Sequence, residues 1–77
     1  MSATRKSVVE IIEDVCSGVR VGEGDDDKPL KDLGVDSLDI AGIFLAIQEK
    51  LGVRVPDAEI DALDTVQRIA QYIDGHR

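Results

Sequence analysis

The chain has 77 residues, 43% of them apolar, with nine basic and sixteen acidic side chains and a net charge of −7. A chain of that length forms one small domain that buries about 60–65% of the surface exposed when unfolded, and its apolar content is too high for a disordered chain. The charge excludes nucleic acid as a partner, because counterion release needs a basic surface, and it disfavours stable insertion at an anionic membrane.

A basic protein surface is the partner that this charge suits, since complementary charge speeds encounter; plain solubility is the simpler use of the same acidity. Trp is absent and Phe44 and Tyr72 are the only aromatics, so the core is expected to consist of Val, Ile, Leu and Ala. Cys16 is the single cysteine, which excludes an internal disulfide. It falls in an apolar helical pattern and reads as a buried, unreactive thiol. Glu10, Glu13 and Asp14 interrupt the first segment, so it is not a signal-peptide core, and no apolar run reaches membrane-spanning length. These features point to a cytoplasmic, freestanding chain.

The first helix is predicted from about Thr4 to Ser17. Val8, Ile12, Val15 and Val19 recur at helical spacing, Ile11 widens the stripe, and Gly18 is a stop. From Val19 to Asp36 the chain reads as a loop, given Gly22, Gly24, the run Asp25-Asp26-Asp27, Pro29 and Gly34. A connection this long in a compact domain is often functional. Leu30, Leu33 and Val35 are expected to pin it to the core.

The second helix is predicted from Ser37 to about Leu51. Ile40, Ile43, Phe44, Ile47 and Leu51 form its core stripe, and Leu38, Ala41 and Leu45 form a second apolar strip beside it. Asp39, Gly42, Glu49 and Lys50 occupy the remaining sector. One stripe anchors a helix, so the extra strip reads as an exposed docking surface; a fully buried central helix is the other reading. Asp36 is a good N-cap whose carboxylate is expected to accept from the first turn, and Asp39 adds favourable charge there. Ser37 then sits at the electropositive start of the helix, where free N–H groups and the dipole favour a phosphate ester.

Gly52 ends this helix, and Val53-Arg54-Val55-Pro56 reads as extended. Pro56 opens a short helical turn from Asp57 to Asp61. The last helix is expected to start at Asp64 or Thr65, with Asp64 and Gln67 at capping-box spacing. Val66, Ile69, Ala70 and Ile73 supply its inner face, and Gly75 is expected to terminate it. The expected fold is all-α: three main helices, one short helix and a long first loop in a single domain over residues 1–77.

Asp32-Leu33-Gly34-Val35-Asp36-Ser37-Leu38-Asp39 opening the second helix, Pro56-Asp57 and Thr65-Val66 together resemble the landmarks of acyl carrier proteins, and Tyr72-Ile73 also looks like that family. The resemblance covers nearly the whole chain. It implies that Ser37 receives 4′-phosphopantetheine from coenzyme A through a phosphopantetheinyl transferase. The arm's thiol then carries acyl groups as thioesters to acyl-transferring, condensing and modifying enzymes with basic docking surfaces. It implies a monomeric carrier without catalytic residues, docking through Asp36, Leu38, Asp39, Ala41, Leu45 and Glu49. Ile43, Ile47, Leu51 and Ile69 are candidates for sheltering an acyl chain. The chain departs from the carriers of primary fatty-acid synthesis at Gly42, Gln48 and Lys50, where glutamates are usual. That leaves room for a polyketide or other specialised acyl pathway.

Rival readings fare worse. Gly34-Val35-Asp36-Ser37-Leu38 is not a nucleophile elbow, and the only histidine, His76, lies in an expected fraying tail, so no catalytic base is evident. A calcium loop starting at Asp25 would need glycine where Leu30 stands and glutamate at its twelfth position, so the acidic run reads as a solvated loop and no metal site is expected. An unmodified acidic adaptor that binds proteins through the second helix is the alternative outside the carrier class.

Overall fold

A computed structural model describes residues 3–76. Four α-helices follow one another: α1 (Ala3–Val15), α2 (Ser37–Leu51), α3 (Asp57–Ile60) and α4 (Val66–His76), and no strand occurs among the described residues. Two 3-10 turns, Glu23–Asp25 and Leu30–Leu33, lie within the long connection between α1 and α2. The chain fills 28 × 27 × 20 Å, with α1 packed against both α2 and α4.

The core is aliphatic, as the composition requires. Val8, Ile12, Ile43, Ile47, Val66, Ile69 and Ile73 are fully buried, and Phe44 is the one buried aromatic. Leu30 and Val35 are buried and Leu33 packs partly against the same cluster, so the loop is pinned where expected. Gly52 closes α2 at φ +71°, a backbone region that only glycine occupies without steric cost, and its N–H donates to the Gln48 carbonyl at 3.1 Å.

Several local expectations change. The helix of α1 stops at Val15, and Cys16 to Val19 form a turn held by the Val19 N–H to the Cys16 carbonyl. Gly42 does not face outward: a Cβ there would lie 3.3 Å from Val15 Cγ1, so its missing side chain lets α1 and α2 approach. Asp39 is half-buried on the same side, and Lys50 reaches Asp14 of α1 at 3.5 Å. The part of that sector at Asp39 and Gly42 is therefore turned toward α1, whereas Glu49 and Lys50 stay exposed.

Thr65 is the cap of α4, its Oγ1 accepting from the Arg68 N–H at 3.1 Å. No reciprocal box with Asp64 forms, because the Gln67 N–H is taken by the Asp26 carbonyl at 3.0 Å. Gly75 lies within α4, which continues to His76. The His76 ring stacks on Tyr72 with centroids 3.9 Å apart, and its Nδ1 meets the Tyr72 carbonyl at 2.8 Å. These contacts hold the last turn where fraying was expected.

The acidic run is structural in two of its three members. Arg5 Nε donates to both Asp26 carboxylate oxygens, at 2.8 and 2.6 Å, and Arg5 Nη2 donates to the Gly22 carbonyl at 3.0 Å. Asp25 accepts from the Gly22 N–H at 2.9 Å and pairs with Lys28 at 2.9 Å. Asp27 is exposed. No cluster of potential ligands able to hold a metal occurs among the described residues.

Candidate functional site

The site is built where the long loop feeds α2. Gly34 takes φ +95° and its N–H closes onto the Lys31 carbonyl at 3.1 Å, turning the chain sharply out of the second 3-10 turn. Val35 is buried directly afterwards, which anchors the entry, and Asp36 is extended at φ −79°, ψ 154°. Ser37 is thereby the first residue of α2 and is exposed.

Asp36 occupies the cap position, but its carboxylate makes no capping bond to the helix. The Ser37 hydroxyl donates to Asp36 Oδ1 at 3.3 Å instead. The Asp36 main-chain carbonyl accepts from the N–H groups of Asp39 (3.0 Å) and Ile40 (3.3 Å), the first rungs of the helix. The amides of the first turn are thus not occupied by the aspartate side chain, and the positive end of the helix dipole lies at the serine. A tetrahedral phosphodiester on the Ser37 oxygen fits this donor set, since it needs an open hydroxyl and gains from free amides.

Leu38 and Leu45 are the exposed large apolar side chains, at 82% and 57% of full exposure, and Ala41 between them is exposed too. The second strip on α2 is thus a surface and not a core face. Asp36 and Glu49 are exposed beside it. Asp39 is aimed differently. Burial, followed by the Asp39 charge and a hydrogen bond to its carboxylate, pushes the Cys16 thiol above its usual range. Cys16 is buried, as the helical pattern suggested.

A cleft of about 460 Å³ opens beside Ser37. Its lining comes from the loop (Pro29, Leu30, Lys31), from α3 and the segment after it (Ile60, Asp61, Leu63, Asp64), and from Ile40 and Ala41 of α2 beside the serine. Ile43, Ile47, Leu51 and Ile69 do not line this cleft: three of them are fully buried and Leu51 is half-buried. Sequence spacing pointed to the tightest core instead of the cleft because it shows which residues are apolar but not which of them border an opening. Leu30 had been placed as a core pin, and its second role as cleft wall depends on the fold.

The phosphopantetheine attachment site family matches residues 6–73. Over 71 residues the chain is 34% identical to the acyl carrier protein of Campylobacter hominis, spanning 92% of this chain and 85% of that one. It is 42% identical over 48 residues to the acyl carrier protein of Campylobacter fetus subsp. fetus and 44% over 48 residues to that of Zymomonas mobilis subsp. mobilis. These two matches span 62% of this chain and 62% of each relative. The chain belongs to the acyl carrier family, whose attachment domain takes 4′-phosphopantetheine. It is a carrier and not a catalyst, and the family implies a phosphopantetheinyl transferase and acyl-processing enzymes as partners. No helix among the described residues is long and apolar enough to cross a membrane.

Proposed function

We propose that Ser37 is the attachment point and that the whole chain is one carrier domain. The single observation carrying this reading is an exposed hydroxyl on the first residue of α2, with the neighbouring carboxylate off the helix amides. In the loading step the Ser37 oxygen bonds to the phosphorus on the pantetheine side of coenzyme A. The pyrophosphate bridge breaks, the adenosine bisphosphate half leaves, and the hydroxyl proton passes to a base on the transferase. Once attached, the arm supplies a thiol that holds acyl groups as thioesters. The chain's own residues hold the arm at a helix end, and a tethered arm raises the local concentration of cargo at a docked enzyme.

Leu38, Ala41 and Leu45, with Asp36 and Glu49 at their edge, form the docking face for enzymes of fatty-acid, polyketide or related acyl biosynthesis in the cytoplasm. Asp39, half-buried, adds charge at the edge of this face. The Gly42 departure from fatty-acid carriers has an internal use against Val15, so it does not by itself speak for a specialised pathway. The cleft walled by Leu30, Ile40, Ile60 and Leu63 is the shelter for an acyl chain. Incubation with coenzyme A and a broad-specificity phosphopantetheinyl transferase is expected to add one phosphopantetheine per chain, read by intact mass, and none to Ser37→Ala. An unmodified wild-type mass would overturn the attachment reading.

A further inference from the structure

Residue 26 is where three parts of the chain meet. Its carboxylate is gripped by Arg5 of α1, with only 17% and 30% of the two side chains exposed, and its carbonyl accepts from Gln67 N–H at the start of α4. Four residues later the Leu30 N–H donates to the Asp64 carbonyl at 2.8 Å. The two backbone bonds run in opposite order along the two segments and form a pair of rungs between the long loop and the α4 entry. The inner rung joins Leu30 to Asp64, two residues that both line the cleft beside Ser37. The outer rung is backed by the Arg5 guanidinium, a charge-assisted, two-oxygen contact of the strong kind. Leu30 itself is almost fully buried, so its wall moves only if the rungs give.

From this we infer that Arg5 and Asp26 are positioning residues for the cleft: their ion pair holds the loop against the segment that enters α4, and so sets how readily the cleft lined by Leu30 and Asp64 admits an apolar guest. The inference rests on the reading of the cleft as the shelter for the group on Ser37. It assigns a task to a contact that lies in a different part of the fold from the serine and carries none of the docking surface. Breaking the pair frees the outer rung first. The inner rung then opens more often, because a hydrogen bond at the edge of a loop opens locally without unfolding the core.

The test uses the full, unmodified chain. Amide exchange at Leu30 and Gln67 is followed by NMR in the wild type, Arg5→Gln, Asp26→Asn and the charge-swapped R5D/D26R, alongside uptake of the neutral fluorophore N-phenyl-1-naphthylamine. Both single variants are expected to exchange roughly tenfold faster at the two amides and to bind more fluorophore, with both effects reduced in the swap. If a single variant does not fold, the milder Arg5→Lys, which keeps the charge but not the guanidinium fork on the two oxygens, gives the same comparison against the buried Ile43 amide. Unchanged exchange at Leu30, or faster exchange without added uptake, overturns the inference. Ser37 loading is read separately by mass, so failure here leaves the attachment reading intact, and failure of attachment leaves the amide result standing.

Discussion

The side chains of Asp36 and Ser37 address each other across 3.3 Å at the start of α2, and neither is committed to the helix amides. A cap aspartate normally contributes about 1 kcal/mol through a bond to the second or third amide. That bond is not made here. Asp36→Ala is therefore expected to change stability by less than about 0.5 kcal/mol, below the usual cap loss, in urea denaturation. The same variant should slow loading by the transferase, because the hydroxyl loses its neighbour. A loss of a full kcal/mol or more would show that the carboxylate caps the helix in solution.

Leu45 supplies a test of the docking strip. With 57% of its surface exposed it contributes little to the core, so Leu45→Asp should stay within about 0.5 kcal/mol of wild type in thermal or urea unfolding. Acyl transfer by a partner enzyme should nevertheless fall, through weaker binding of the loaded carrier. Loss of cooperative unfolding would place Leu45 in the core; unchanged transfer would remove the strip from the docking face.

Gly42 and Val15 make a coupled pair. Alanine in an exposed helix interior gains about 1 kcal/mol over glycine. At Gly42 the added carbon would sit 3.3 Å from Val15 Cγ1, so the neighbour has to yield. Gly42→Ala alone is expected to gain much less than that, and Gly42→Leu to cost about 1–3 kcal/mol by overpacking. In a double-mutant cycle Val15→Ala should restore the alanine gain. Independent effects of the two substitutions would mean that the helices are not in close contact there.

The Asp25–Lys28 pair predicts opposite pH effects at its two ends. The Lys28 ammonium, and next the Gly22 N–H, hold the Asp25 carboxyl below its ordinary value near 3.8. Its contribution to stability is present above that value and is lost as pH falls through the lower folded value. The Asp25 carboxylate in turn raises Lys28 above 10.5. That contribution is present below 10.5 and is lost as pH rises through the raised folded value. Urea midpoints across pH should show a shallower acid limb in Asp25→Asn and a shallower alkaline limb in Lys28→Gln. Both groups are exposed enough for salt to diminish the effect. Limbs identical to wild type would remove the pair from the stability of the loop.

Much of this was readable from local chemistry. The bounds of α2 follow from Asp36 before Ser37 and Gly52 after Leu51, and the apolar strip beyond the core stripe marks an exposed surface. Leu30 and Val35 are apolar residues in a polar loop and had one place to go. What escaped the sequence depends on contacts between distant segments. Arg5 lies twenty-one positions from Asp26, so nothing in Asp25-Asp26-Asp27 distinguishes a gripped carboxylate from a solvated one. Gly42 looks like a weakness in a helix until Val15 is seen against it. The Tyr72–His76 stack stabilises a turn that Gly75 would otherwise end, and the cleft beside Ser37 draws its lining from the loop, α2 and α3, segments far apart in the chain.

Tyr72 is the chain's only tyrosine, and tryptophan is absent. Nearly all ultraviolet emission therefore originates from one phenol lying flat against an imidazole at the end of α4. The protein has a native optical gauge of its final helical turn, and unwinding of that turn should register in it without any added dye.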